Sequence, residues 1–305
     1  MAQGGSSGLC SELGEETLRF ILADKERECT GRQLFLLQYI YDPKLRTICA
    51  ASFPERVLHH AIMNICHEVF ERHFIHTTYA TRPRKGVYAA LDRACKAMKK
   101  YSYVGKFDVR HYFDSIDHTI LKKKLTHLFK DKTILDIFFR IIDSYEREQK
   151  NKGLPIGNLT SQYFANYYLS DFDHWCKEKL KAAEYIRYMD DFLVFCPDYS
   201  LLSSSADAIN DYMNTSLALR LKPSVFANSR DGVSFLGYHI GNKKILLNSR
   251  SKRRLKKKMR LYENLLEDQK WTEKEYMEHI TPLLSFSRYA YSKGLRREMM
   301  MNGNK

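Results

Sequence analysis

The sequence has no C-x-x-C pair, no basic leader ahead of an apolar core, no repeat at a fixed period, and no apolar stretch near the roughly 20 residues that span a bilayer. Each absence removes a class of protein. The seven cysteines (10, 29, 49, 66, 95, 176 and 196) are scattered singly and odd in number, which argues against a disulfide framework and a zinc ribbon and fits a reducing compartment. Neither export nor membrane insertion is indicated, so the expectation is a cytoplasmic protein with no membrane partner. Low-complexity linkers are missing too. The 305 residues, 44% of them hydrophobic, therefore read as one to three closely packed subdomains.

Acid is in deficit. Fifty Lys and Arg stand against 36 Asp and Glu, a formal charge of +14, which favours an anionic partner, nucleic acid first and an anionic membrane surface second. Between Gly232 and Tyr262 there is no acid at all, and RSKRRLKKKMR (250–260) carries eight basic residues in eleven. Residues 1–30 are small and polar with GG, SSG and TG breakers, a leader with one short helical piece. RQLFLLQYIYDPKLRTICA (32–50) is strand-like but broken by Asp42-Pro43, which predicts a hairpin. Val57, Leu58, Ala61, Ile62, Ile65, Val69 and Phe70 recur at helical spacing and predict a helix over 54–74 with one buried face. YSYVGKFDV (101–109) reads as a strand ending at Asp108. Helices are expected over 118–143 around a KDK break, over 161–181 and over about 201–219. A short strand pair follows around SFLGYHI, then a basic helix from about 249. Strands and helices alternate without a clear boundary, an α+β pattern. Histidines 59, 60, 67, 73 and 76 cluster, but their spacing does not gather three ligands on one helix face, and ordinary histidines are expected.

YIRYMDDFLVFC (185–196) sets Asp190 and Asp191 side by side between two strand-like runs. Asp-Asp pairs are common in turns, where they bond their own backbone. Clustered carboxylates, however, either raise one another's pKa or bind a cation, and an all-oxygen donor set suits Mg²⁺. Asp108 in KFDVRHYFDSIDH is the candidate third acid, delivered if its strand lies beside that of Asp191. Three carboxylates holding two Mg²⁺ ions about 4 Å apart would activate a hydroxyl and stabilise a leaving pyrophosphate, the chemistry of nucleotidyl transfer.

YMDD after a strand, FDVRHYFDSID upstream and GLPIGNLTSQYFANYYL between them resemble the consecutive palm motifs of reverse transcriptases. FLGY (235–238) falls where that family has its primer-grip turn, and DPKLRTI (42–48) resembles its fingers motif. The five matches run in family order over about 40–290. Most members carry Gln-Gly and then Ser-Pro in the central motif, whereas Ile156-Gly157 and Ser161-Gln162 stand here. With RPRKG (82–86) and RYMDDF, that departure is most similar to the reverse transcriptases of diversity-generating retroelements.

The resemblance implies a right-hand polymerase. Residues 31–100 would form fingers, 101–240 a palm with an antiparallel sheet and interleaved fingers helices at about 118–150, and 241–305 a basic helical thumb, after the leader at 1–30. It implies an RNA-directed DNA polymerase with two Mg²⁺ ions, Mn²⁺ substituting, that copies a structured template RNA into cDNA and is error-prone at template adenines. Its partners would be template RNA, the RNA/DNA heteroduplex, dNTPs and a small basic helical accessory protein. A defence-type reverse transcriptase making repetitive or protein-primed DNA and a non-catalytic RNA-binding scaffold are the rivals. An intron-encoded protein is disfavoured because no maturase or endonuclease extension follows the thumb.

Residue by residue, the likeness places both metals on Asp108 and Asp190, with the Val109 carbonyl as an added ligand and Asp191 completing the outer side. Phe113 would lie beneath the sugar of the incoming nucleotide and collide with a 2′-hydroxyl, unless it only packs in the palm. Arg46 and Lys44 match the fingers residues that grip the triphosphate. Gly157 lets nucleic acid approach the backbone, Ile156 replaces a polar anchor by a methyl surface, and Gln162 completes the nucleotide set. Lys222 is either a proton donor to pyrophosphate or a plain surface lysine. Template and primer contacts fall to Arg82, Arg84 and Lys85, to Phe235, Leu236, Gly237 and Tyr238, and to Arg250, Lys252, Arg253, Arg254, Lys256 and Lys257, whose binding would weaken steeply with salt.

Overall fold

The computed structural model describes residues 36–41, 45–145 and 150–302. By packing they form two compact units that interleave along the chain: residues up to Ile75 with His111–Asp173 and Thr215–Leu219, and His76–Arg110 with His174–Asn214 and the segment from Arg220 onward. Among the described residues no helix is long and apolar enough to cross a membrane.

In the first unit, β1 (Leu36–Tyr41) and β2 (Leu45–Ala50) pair antiparallel with Tyr41 opposite Leu45, the hairpin that Asp42-Pro43 signals. Lys44 and the leader lie outside the described residues, and Arg46 is described by its backbone alone. The anticipated helix is present as Phe53–His73. Its fully buried Phe70 meets the rings of Phe129 at 5.2 Å, Tyr163 at 5.5 Å and Tyr167 at 5.5 Å. Burying one such ring contributes about 2 kcal/mol, so Phe70 ties the helices of this unit together. The KDK break is also present. Helix His118–Leu128 ends at Phe129, and the Asp131 carboxylate accepts the Ile134 N–H to start helix Lys132–Asp143, a strong N-cap. The expected helical run at 161–181 is two helices, Leu159–Tyr168 and Ser170–Glu178.

The second unit holds a four-stranded antiparallel sheet of β3 (Tyr103–Asp108), β4 (Glu184–Tyr188), β5 (Asp191–Cys196) and β6 (Val225–Asn228), in the order β4-β5-β3-β6. Alternation along these strands builds two faces. Phe107 and Phe192 stack on one face at 5.1 Å, with Tyr185 and Phe226 beside them. Val104, Ile186, Leu193 and Phe195 point the other way, into a core shared with helix Val87–Lys100 and with a smaller sheet of β7 (Val233–Phe235), β8 (Tyr238–Ile240) and β9 (Ile245–Leu247). Helix Val87–Lys100 was not anticipated because its buried stripe is mostly small, Ala90, Ala94 and Ala97 beside Leu91 and Met98. Strands β6 and β9 are too short to show a period.

The basic helix spans Ser249–Glu267, opened by the Asn248 side chain accepting the Ser251 N–H at 2.8 Å. Leu255 and Met259, one turn apart, form its buried seam, while Arg250, Lys252, Arg253, Arg254 and Lys257 are exposed.

Candidate active site

In the antiparallel register Asp108 stands directly opposite Asp191. Opposed residues share a face of the sheet, so the two carboxyl groups project to the same side where β3 and β5 end. Asp190 sits in the β4–β5 turn, which reverses through Met189 in the left-handed region at φ 56°. The Val109 N–H donates to the Asp190 carbonyl at 3.4 Å and so holds the turn against the end of β3. On the other flank the Lys222 N–H donates to the Asp108 carbonyl at 2.8 Å. Backbone pairing alone therefore brings Lys222 to the acids.

Two lysines complete the charge balance. Lys222 Nζ lies 2.5 Å from Asp108 Oδ1, and Lys106 Nζ lies 3.4 Å from Asp191 Oδ2. The Asp191 side chain is 20% exposed, and its Oδ1 is buried with no hydrogen-bond partner. Burial foremost pushes its carboxyl up to about 7; Asp108 and Asp190 add to the rise and Lys106 opposes it. The strand adjacency expected from the sequence is thus present, but a preformed cation cluster is not. Among the described residues no three His, Cys, Asp or Glu side chains are gathered as one. The ammonium groups of Lys106 and Lys222 steady the like charges of the acids. The donors fit a hard divalent ion: they are carboxylate oxygens, and one of them, Asp191 Oδ1, is buried and unpartnered.

The other nucleotide candidates gather in the first unit. Phe113, half-buried on the short helix Tyr112–Ser115, accepts the Leu154 N–H on its carbonyl at 2.9 Å. The Ile156 carbonyl accepts the Cys49 N–H at 3.0 Å, and Asn158 Oδ1 accepts the Ala51 N–H at 3.1 Å. The loop of Ile156 and Gly157 is thereby stitched to β2, the strand of Arg46, and Gly157 takes φ 121°, a backbone that favours glycine. Gln162 is exposed on the helix that follows.

Several expected nucleic-acid contacts have structural duties. Phe235 and Tyr238 are fully buried, and the Tyr238 hydroxyl donates to the Phe286 carbonyl at 2.8 Å. Leu236 and Gly237 form the bend of that turn and are half-buried, Leu236 against the core. Both have positive φ, and a Cβ on Gly237 would meet Phe286 at 3.1 Å. Arg82 donates to the Thr78 carbonyl and Lys85 to the His76 carbonyl, so they brace their own loop, while Arg84 points outward at φ 58°. Lys256 is paired with Glu298 at 2.8 Å. Sequence reasoning missed Lys106, although a strand period of two puts it on the same face as Asp108.

A twisted antiparallel sheet with opposed carboxylates at the end of its central strands, flanked by helices, defines the palm of a right-hand polymerase. Residues 41–240 match the family described as reverse transcriptase (RNA-dependent DNA polymerase), and the chain belongs to it. Among curated relatives, Protein YkfC of Escherichia coli (strain K12) is 21% identical over 246 residues, covering 66% of this chain and 64% of its own. The Putative COX1/OXI3 intron 2 protein of Saccharomyces cerevisiae is 21% identical over 258 residues, covering 64% of this chain and 30% of its own. The Group II intron-encoded protein LtrA of Lactococcus lactis subsp. cremoris is 22% identical over 135 residues, covering 43% and 22%. The chain thus spans less than two thirds of each of these relatives. Telomerase from Candida tropicalis, in complex with a fragment of telomeric RNA, superposes with a TM-score of 0.55 at 12% identity over 91% of this chain and 56% of that one. Telomerase from Candida albicans gives 0.51 at 14% identity over 82% and 55%. These similarities show the fold.

Proposed function

We propose that the chain is an RNA-directed DNA polymerase whose reaction centre is the end of β3 and β5. The observation that carries this reading is the register that opposes Asp108 to Asp191, with Asp190 in the adjoining turn. Divalent ions held there, Mg²⁺ or Mn²⁺, would activate a primer 3′-hydroxyl and neutralise the departing pyrophosphate. Asp108 and Asp190, with the Val109 carbonyl, are the ligands, and Asp191 closes the outer side. Lys222, whose ammonium lies at Asp108, would supply a proton donor to the pyrophosphate there. Phe113 excludes a 2′-hydroxyl, Lys44 and Arg46 grip the triphosphate, and Ile156, Gly157 and Gln162 line the nascent pair. Fingers at 31–100, palm at 101–240 and thumb at 241–305 are the division this implies. Template RNA and the RNA/DNA heteroduplex lie on the basic surface, Arg84 and the helix Ser249–Glu267 included.

For the setting we favour a diversity-generating retroelement, with error at template adenines and a small basic accessory protein. Ile156 in place of an amide supports it, since apolar contact discriminates less sharply than a hydrogen-bonded anchor. A second reading, an intron-encoded reverse transcriptase, is supported by the likeness to LtrA and to the yeast intron 2 protein, and the expectation that disfavoured it is withdrawn. Sequencing the RNA that co-purifies with the protein, and the products formed from it on adding dNTPs, tests the proposal. Complementary DNA with changes concentrated opposite adenine is expected. Faithful cDNA of an intron RNA would transfer the setting to the second reading, and no dNTP-dependent product would remove the enzyme.

A further inference from the structure

Arg187 is fully buried, at 0% exposure, and lies two residues before the turn that carries the acids. An ionised group is withdrawn from water only where hydrogen bonds compensate for the lost hydration. On β4 it pairs with Phe192, so it stands on the face opposite Asp191, among Phe107, Phe192 and Tyr185. From beneath the sheet its Nη1 donates to the Met189 carbonyl at 2.9 Å. Met189 is the residue at φ 56°, a left-handed conformation that a side chain with a Cβ adopts only under constraint. The clamp is itself anchored. The Arg187 N–H donates to the Thr77 carbonyl at 3.0 Å, and its carbonyl accepts the Tyr79 N–H at 2.9 Å. A short neighbouring segment thus fixes the strand on the side away from β5.

We propose that Arg187 is a positioning residue for the carboxylate turn: its buried guanidinium holds Met189 in the left-handed conformation that sets Asp190 and Asp191 beside Asp108. It does not touch substrate. The inference rests on the reading of these acids as the cation ligands of the polymerase. A residue that orients ligands in this way changes metal affinity or turnover by about 10- to 100-fold when removed. A lysine would not replace it, since the ammonium is a point donor without the planar fork.

The test uses the full chain and four readouts: melting temperature, Mn²⁺ affinity of the nucleotide-free protein by electron paramagnetic resonance, and kcat and dNTP KM for single additions on an RNA template. Arg187→Met should melt cooperatively, bind Mn²⁺ about 10- to 100-fold more weakly and lose kcat to a similar extent, with KM for dNTP little changed. Arg187→Lys should fall between it and the wild type. Adding Met189→Gly to Arg187→Met should restore part of kcat and of Mn²⁺ affinity, because glycine enters positive φ without penalty. Should Arg187→Met fail to fold, Arg187→Lys and its combination with Met189→Gly carry the same readouts. Wild-type Mn²⁺ affinity and kcat in a folded Arg187 variant would overturn the proposal. So would losses that follow melting temperature alone and do not respond to Met189→Gly. Wild-type incorporation by Asp108→Asn would instead overturn the reading of the acids, so the two failures are distinguishable.

Discussion

At the scale of single residues, the site is governed by which charges are forced together and what steadies them. Asp191 is driven toward its neutral form chiefly by burial, while Lys106 and Lys222 stand in the positions where positive charge is needed. The placement of the three acids was legible because they fall at a strand end and at a turn, places where period and turn chemistry speak plainly. The lysines were less so. Lys222 reaches Asp108 through a backbone contact between segments far apart in sequence, which no local pattern encodes. Phe235 and Tyr238 were read as surface contacts because a motif names positions but not the direction in which they face. Phe113 offers a test at this scale. Phe113→Ala should reduce discrimination between deoxy- and ribonucleotides by about 10- to 100-fold, measured as the ratio of kcat/KM for dCTP and CTP on one template. Unchanged selectivity would leave Phe113 a packing residue.

At the scale of elements, long periodic segments were legible and short or small-residue ones were not. Helix Phe53–His73 and the paired helices around the KDK break carry clear apolar stripes and caps. Helix Val87–Lys100 hides its stripe among alanines, and β6 has four residues. The basic helix Ser249–Glu267 was visible as charge, but only the structure shows that Leu255 and Met259 seat it and leave Lys252, Arg253 and Lys257 exposed. If these side chains track a nucleic-acid backbone, replacing Lys252, Arg253 and Lys257 with Ala should lower the slope of log affinity against log salt by roughly 2 to 3. The melting temperature should hold, since all three are exposed. Equilibrium binding to an RNA/DNA duplex at several salt concentrations measures this. An unchanged slope would mean the helix faces solvent.

At the scale of the whole molecule, the α+β class and the order of the motifs were legible because a polymerase palm needs acids at fixed places in a fixed topology. The interleaving of the two packed units was not, since it depends on contacts between segments such as Thr215–Leu219 and His111–Asp173 that lie far apart in the chain. The central claim is that acids separated along the chain form one reaction centre. Its most direct measurement is single-nucleotide extension of a primer on an RNA template, in Mg²⁺, by wild type, Asp108→Asn and Asp190→Asn matched for melting temperature. The wild type should extend, and both variants should fall by about 1000-fold or more, as when an essential charge stabiliser is removed. Extension by either folded variant at the wild-type rate would contradict the account.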